Sequence, residues 1–157
     1  MNNSRKLYAS LLLMVSLLVL QGCVKPQTTL PAANAVADAV LKSQVFSEPY
    51  QITEEKMLEF LAISAGDIAD SAMIMDVSRV TPECIIILTA ASDNAAKTVE
   101  QALKDYRQSL RNQYISYRPD EVFKIDQAVL ESRGYQFALI ISSSPEQALT
   151  ALKTAWK

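Results

Sequence analysis

The stretch Cys84-Ile85-Ile86-Ile87-Leu88-Thr89 carries the clearest structural signal in this chain of 157 residues. Its residues are apolar and mostly β-branched at consecutive positions, so both faces of the extended segment would be apolar. A strand of this kind must be covered on both sides to be removed from water. We therefore predict a central strand here, with other structure packed above and below it.

The flanking segments complete a unit of two strands and one helix. Residues 72–78 alternate between apolar and polar side chains, which is typical of a strand. Beyond the central strand, Ser92 or Asp93 begins a long helix whose apolar residues follow helical spacing and whose extent is limited by Pro119.

A second unit with the same order follows. Residues 125–132 and 135–142 are predicted as strands. The sequence Ser144-Pro145-Glu146-Gln147 has the pattern of a capping box with proline at the first helical position, so a final helix begins there. The order strand, strand, helix thus occurs over residues 70–110 and again over 125–156. Two such units predict an α+β fold, with an antiparallel sheet and helices packed on it.

Helical patterns also precede the sheet. Residues 33–46 suit a helix, and Thr53 is predicted to cap a short helix that has Glu54 and Glu55 in its first turn. We therefore predict that residues 33–157 form a single α+β domain preceded by an N-terminal helix.

The first residues have the pattern of an export signal. Arg5 and Lys6 precede an apolar stretch from Leu11 to Leu20. This stretch is too short to span a bilayer comfortably, which takes about 20 apolar residues. The tetrapeptide Leu20-Gln21-Gly22-Cys23 resembles the lipobox of bacterial lipoproteins, although Gln21 stands where a small or aliphatic residue is usual. The alternatives are an ordinary cleaved signal or an uncleaved signal anchor.

The lipobox resemblance implies the position of the protein in the cell. Residues 1–22 would be a lipoprotein signal peptide, and Cys23 would carry diacylglycerol on its thiol. The protein would then be extracytoplasmic and lipid-anchored to the cell membrane. Residues 23–32, with Pro26 and Pro31, are predicted to form the lipid-anchored tether. Loss of residues 1–22, which hold two basic and no acidic residues, changes the formal charge from −2 to −4.

Composition argues against several classes of protein. The chain has no histidine, so the commonest general base and metal ligand are missing. A formal charge of −2 does not suit a nucleic-acid binder, and two cysteines cannot build a disulfide scaffold or a four-cysteine zinc site. We therefore predict no cofactor, no metal site and no enzymatic activity. A hydrolase with an unrecognised site is a further possibility.

The candidate binding residues are Arg107, Arg111, Tyr114 and Arg118, at intervals of four, three and four residues. On a continuous helix this spacing gives one stripe. Guanidinium groups suit carboxylate or phosphate, and tyrosine offers a ring for stacking. The partner would be an envelope protein of acidic character, an anionic polymer or a lipid headgroup. The alternative is a solvated face whose arginines form ion pairs with nearby acids.

An apolar ligand pocket is the competing prediction for the site. Such a pocket between sheet and helices would be lined by Met73, Met75 or Tyr135, although methionines on these faces are also common as core residues. Tyr117-Arg118-Pro119 is predicted to turn the chain, with an aromatic ring filling the core; the alternative is that it shapes a binding pocket at the end of the helix. Three aspartates are predicted to cap helices or to be solvated at strand edges rather than to bind calcium: Asp67, Asp70 and Asp76.

The domain also resembles the bacterial lipoprotein family known as DUF4358, over roughly residues 35–156. The resemblance rests on residues 63–72, Pro82-Glu83 before the central strand, Tyr117-Arg118-Pro119, and Gly134-Tyr135 before the last strand. It implies a lipobox-bearing protein without an assigned activity, so no catalytic residue can be carried over. We expect a binding or assembly module at the cell envelope, or alternatively a lipoprotein that binds a small ligand.

Overall fold

The computed structural model describes residues 30–78 and 80–157. The predicted signal peptide (1–22), the predicted lipidation site Cys23 and most of the predicted tether (23–32) lie outside the described residues.

Within the described residues the chain forms five helices and five strands, together with two short 3-10 turns. Numbered in chain order, they are α1 (Ala33–Leu41), β1 (Pro49–Gln51), α2 (Glu54–Leu61), β2 (Ile68–Asp76), β3 (Cys84–Ala90), α3 (Asp93–Tyr117), α4 (Val122–Asp126), β4 (Val129–Arg133), β5 (Gln136–Ile141) and α5 (Pro145–Ala155). The 3-10 turns are Ala65–Asp67 and Pro119–Glu121.

The strands form one antiparallel sheet in the order β1-β2-β3-β5-β4. β3 lies in the middle, with Ile86 paired to Met73 of β2 on one side and to Leu139 of β5 on the other. The predicted α+β fold with an antiparallel sheet is therefore confirmed.

The central strand is buried on both faces, as its sequence predicts. Ile86 and Leu88 belong to a core with α2, α3 and α4, whereas Ile85 and Ile87 belong to a second core with α1 and α5. The two strand-strand-helix units place their helices on opposite faces of the sheet, because α3 packs in the first core and α5 in the second. The result is three layers, with the sheet between two layers of helices.

Local sequence signals explain several helix starts. The side chains of Thr53 and Ser92 accept hydrogen bonds from the backbone N–H groups of Lys56 and Ala95, which confirms both as N-caps. The prediction that Ser144 begins a capping box is wrong. The Ser144 side chain makes no capping hydrogen bond, although proline does occupy the start of α5.

Several predicted boundaries differ from the structure. The helix predicted over 33–46 ends at Leu41, where Ser43 donates its hydroxyl to the Val40 carbonyl and the chain turns. The strand predicted over 72–78 runs from Ile68 to Asp76.

The strand predicted over 125–132 is wrong in its first half. Its first two residues, Ile125 and Asp126, are the end of the helix α4, and β4 begins only at Val129. Val122 and Ile125 are one helical turn apart and both pack into the core beside α3, so the apolar residues here serve a helix.

A buried glutamine joins the start of the described chain to its end. The Gln136 side chain is fully buried, and its Nε2 atom donates to the Pro31 carbonyl (2.9 Å) and to Thr89 Oγ1 (3.1 Å). Its Oε1 atom accepts the indole N–H of Trp156 at 2.6 Å. The carbonyl oxygen and both N–H bonds of the amide are thus engaged in hydrogen bonds. The last residues before α1 are therefore held against β3 and the C-terminus.

Asp70 supplies the cap that α1 lacks in its own sequence. Ala32 cannot cap a helix, but Asp70 Oδ2 on β2 accepts the Ala33 N–H at 2.7 Å. The predicted capping role of this aspartate is confirmed.

Candidate functional site: an apolar cleft at one end of the sheet

A cleft of about 550 Å³ opens where β2 ends and the chain turns toward β3. Its walls are α2, the end of β2, the loop before β3 and the second half of α3. The lining residues are Ile52, Phe60, Met75, Asp76, Val77, Thr81, Pro82, Leu110, Gln113, Tyr114 and Tyr117. A volume of this size falls within the roughly 300–1,000 Å³ that is usual for small-ligand sites.

The cleft is apolar and continues onto exposed side chains. Tyr117 is 65% exposed, Val77 44% and Phe60 38%, so three large apolar side chains at the cleft remain open to solvent. Contiguous exposed apolar surface of this kind marks binding sites more often than scattered single residues do. Of the three residues predicted to line a pocket, only Met75 is in the wall, where it is half-buried; Met73 is buried in the core, and Tyr135 lies outside the cleft with its hydroxyl bonded to Asp93.

Asp76 fixes the wall of the cleft at the end of β2. Its Oδ2 atom accepts the backbone N–H groups of Ser47 (2.6 Å) and Glu48 (3.1 Å), and its Oδ1 atom accepts that of Ser78 (2.9 Å). Burial alone would raise the pKa of Asp76, but hydrogen bonds from Ser78, Glu48 and Ser47 outweigh it and hold the pKa below its ordinary value. The Ser78 hydroxyl is buried without a well-aligned partner, so the three amide hydrogen bonds carry this effect. The prediction that Asp76 caps a helix or is solvated at a strand edge is wrong, because the side chain is buried and binds backbone N–H groups of the neighbouring loops.

A buried charge cluster lies behind the cleft. Lys124 Nζ donates to Thr81 Oγ1 at 3.1 Å and lies 2.8 Å from Glu121 and 3.4 Å from Glu83. The Glu121 oxygen receives no hydrogen bond of good geometry, so this contact is an ion pair without a directional bond. Burial alone would lower the pKa of Lys124, but Glu121 and Glu83 outweigh it and raise the pKa. Two carboxylates therefore face one ammonium group.

The predicted arginine stripe does not form as one exposed surface. Tyr114 is only 9% exposed and belongs to the core, with its ring edge-on to Tyr117 at 6.2 Å between centroids. Its side chain lines the cleft and is not part of an exposed surface with the arginines. Burial raises the pKa of Tyr114 to about 12, so its hydroxyl is neutral and can both donate and accept a hydrogen bond.

The arginines of the stripe face acidic residues. Arg111 makes a two-point contact with Asp126, with Nε 2.6 Å from Oδ1 and Nη2 3.3 Å from Oδ2. This hydrogen bonding raises the pKa of Arg111 and lowers that of Asp126. Arg118 lies just past the end of α3 and contacts Asp120 at 3.4 Å. Arg107 also faces Asp126, so the structure supports the ion-paired, solvated alternative for this surface.

The prediction that Tyr117 fills the core is wrong, because its side chain is largely exposed and lines the cleft at the end of α3, as in the alternative of a pocket at the helix end. The helical spacing of Leu110, Gln113, Tyr114 and Tyr117 was the available signal, because residues three and four apart share a face of a helix. Phe60 and Val77 had no such signal, since they come from distant segments of the chain.

The chemistry of the other candidates is limited. Burial raises the pKa of the Cys84 thiol to about 12, so it is not a nucleophile at neutral pH. Within residues 30–78 and 80–157, no group of three or more acidic or cysteine side chains could hold a metal ion. In the same part of the chain, no helix has both the length and the apolarity needed to cross a bilayer.

Comparison with known proteins identifies a family. A family model described as "Domain of unknown function (DUF4358)" matches residues 42–142. The chain belongs to this family. The match covers the cleft and both units of the sheet up to the end of β5. Neither a curated protein nor a solved structure matches this DUF4358 member.

Proposed function

We propose that this DUF4358 protein is a lipid-anchored, extracytoplasmic binding protein without catalytic activity, and that it holds its ligand in the cleft between the sheet and the helices. The observation that carries the proposal is the open apolar cleft of about 550 Å³ with Phe60, Val77 and Tyr117 exposed at it. Exposing apolar side chains costs stability, so their retention at a concave site favours a role in binding.

The cleft is a better recognition site than the arginine surface. Arg111 and Arg118 already contact Asp126 and Asp120, so an anionic partner would have to displace these contacts. The aromatic ring that would have stacked with the partner, Tyr114, is turned into the core and the cleft.

The experiment compares photo-crosslinking from two exposed aromatic positions. A photoreactive phenylalanine replaces Tyr117 at the cleft or Phe123, which is 48% exposed but lies outside it. The full-length protein is crosslinked in its native envelope, and adducts are identified by mass spectrometry. We expect a discrete adduct from position 117 that is absent from position 123. Adducts from both positions alike, or from neither, would contradict the cleft as the site.

The anchor requires a separate test. We expect Cys23→Ser to abolish incorporation of labelled fatty acid and to release the protein from the membrane fraction, because two acyl chains give the stable anchoring. Retention of Cys23→Ser in the membrane with an intact leader would instead support an uncleaved signal anchor.

A further inference from the structure

We propose that the free edge of β4 is a second binding surface, which takes an extended partner segment with alternating apolar and acidic residues as a sixth, antiparallel strand. This surface goes beyond the proposed function, because β4 contributes no residue to the lining of the cleft. Three observations carry the proposal: the direction of the backbone groups of β4, the grooves on either side of it, and the charges in one of these grooves.

The backbone of β4 directs hydrogen-bonding groups away from the sheet. The Tyr135 carbonyl accepts an N–H of β3 at 2.8 Å, so the next residue, Gln136, directs its own groups to β4, where it pairs with Arg133. This direction alternates along an antiparallel strand, so Leu130 and Ser132 direct their N–H and C=O groups outward. In the part of the chain that the structure describes, β4 pairs with β5 alone, and these outward groups meet no further strand.

The opposite edge of the sheet is less suited to strand addition. β1 has only three residues, and the first is Pro49, which has no N–H to donate. β4 has five residues and no proline. Its two charged side chains, Glu131 and Arg133, are two residues apart and therefore point to the same face of the sheet. The other face of this edge is left without charge from the strand.

A groove lies beside β4 on each face of the sheet. The α3-side groove has a volume of about 350 Å³ and is lined by Leu130 and Phe137, with Glu100 and Lys104 of α3 beside them. These two charged side chains form an ion pair with each other, so α3 adds no net charge to the groove. The α5-side groove, of about 430 Å³, lies between β4 and the end of α5.

The two grooves fix the side-chain pattern of the partner. Residues directly opposite each other in an antiparallel pair place their side chains on the same face. Partner residues that bond to Leu130 and Ser132 would therefore enter the α3-side groove, whose lining favours apolar side chains. The residues between them would enter the α5-side groove. Strand addition of this kind takes its affinity from the main chain and its specificity from alternate side chains.

The α5-side groove favours acidic side chains. Its charged residues are Arg133, Lys153 and Lys157, against a single acid, Glu131. Among the described residues, none of these four side chains forms an ion pair. An acidic partner therefore displaces no existing contact here, in contrast to the surface around Arg111, and charge-assisted hydrogen bonds to its carboxylates are gained.

The ligand class is tested with lipidated full-length protein in phosphatidylcholine vesicles. The probe is the dye-labelled peptide Glu-Val-Glu-Val-Glu-Val-Glu, compared with its counterparts that have glutamine or lysine in place of every glutamate. We expect fluorescence anisotropy to show binding of the glutamate peptide about tenfold tighter than the lysine peptide at low salt, with the ratio falling as salt rises. Equal binding of all three peptides, or binding of none, would overturn the proposal.

Backbone methylation tests the strand pairing. N-methylation of the three valines removes the N–H groups that would bond to the carbonyls of Leu130 and Ser132, so we expect binding to be lost. N-methylation of the three inner and C-terminal glutamates leaves these groups intact, so we expect binding to be kept. An equal effect of both modifications would overturn binding as a strand, and loss from the glutamate set alone would overturn the antiparallel arrangement.

Variants of the protein locate the site. Lys153→Gln should reduce the preference for glutamate over lysine, whereas Lys42→Gln makes the same charge change at an exposed position outside both grooves and should leave it unchanged. Ser132→Pro removes an outward N–H and should abolish binding, with circular dichroism as the check that the fold is kept. Tyr117→Ala changes the cleft alone, so weaker peptide binding by this variant would place the peptide in the cleft and overturn the edge site.

A second copy of the chain is the competing occupant of the edge. Two antiparallel β4 strands centred on Ser132 would bring these residues together, so Ser132→Cys tests this arrangement by oxidative crosslinking in the native envelope. The native Cys84 is fully buried and does not compete. We expect no more dimer than from Lys42→Cys. A dimer specific to position 132 would assign the edge to a second copy and overturn the acidic partner.

Discussion

Replacing Asp76 with asparagine should weaken the protein by removing the charge that organises the cleft wall. The two carboxylate oxygens accept three backbone N–H groups, from Ser47, Glu48 and Ser78. Asparagine keeps one accepting oxygen and turns an NH₂ group toward at least one of these donors. Each hydrogen bond to a charged group contributes about 1.5–3 kcal/mol, so we expect Asp76→Asn to lower the free energy of unfolding by about 2–4 kcal/mol.

The loss should depend on pH in a defined direction. Because the folded state holds the pKa of Asp76 below its ordinary value of 3.8, the stabilisation is present above that value and is lost as pH falls through the folded-state pKa. The difference in stability between the wild type and Asp76→Asn should therefore be full at pH 7 and should shrink below pH of about 4.

Urea unfolding followed by tryptophan fluorescence measures this difference. The single tryptophan, Trp156, binds Gln136 beside Thr89 at the end of β3, whereas Asp76 lies beside the start of β3, so its signal reports unfolding of the domain and not a local change at the cleft. Asp105→Asn is the matched control and should stay within about 0.5 kcal/mol of the wild type, because its carboxylate is exposed. A difference for Asp76→Asn that is below about 0.5 kcal/mol, or that is the same at pH 3 and pH 7, would refute the reasoning.

Three further predictions concern other parts of the fold. Gln136→Leu should lower the free energy of unfolding by about 2–3 kcal/mol in a circular-dichroism melt because it leaves the buried indole N–H of Trp156 without a partner, and the loss should be smaller in a Trp156→Phe background. Gly134→Ala should cost about 1–2 kcal/mol by the same assay because the glycine has a φ of +58°, whereas its Cβ would meet only an ordinary contact with Leu30 at 3.9 Å; a neutral result would show that the turn relaxes. Arg111→Gln should remove the contact with Asp126 and leave photo-crosslinking from the cleft unchanged, and a loss of the cleft adduct would return the arginine surface to consideration.

The parts of the fold that the sequence predicts are those set by local rules. The central strand follows from consecutive apolar residues, because a strand with two apolar faces has to be covered twice. The helix starts at Thr53 and Ser92 follow from a hydroxyl group that can accept a backbone N–H within the same turn. These interactions span three residues, so no knowledge of the tertiary structure is needed to expect them.

The elements that were mispredicted depend on tertiary contacts. Ile125 stands in an apolar segment that suits a strand or a short helix, and its packing beside α3 decides for the helix. Ser144 has the residues of a capping box around it, yet its backbone N–H is bonded to Ser142 Oγ and its own side chain does not cap the helix. The choice between such alternatives is made by neighbours that are far away in sequence.

The cleft itself follows from a mismatch of lengths. α3 has 25 residues, or about 37 Å at about 1.5 Å per residue, whereas β3 has seven, or about 23 Å. The helix begins three residues after β3 ends at Ala90 and is about 14 Å longer than the strand, so the two elements cannot match over their whole lengths. Tyr114 and Tyr117 lie in the last turn of α3 and line the cleft together with Met75 and Asp76 of β2. The predicted lengths of α3 and β3 could therefore have indicated a space beside the last turns of the helix. They could not show that Phe60 and Val77 would form its other walls.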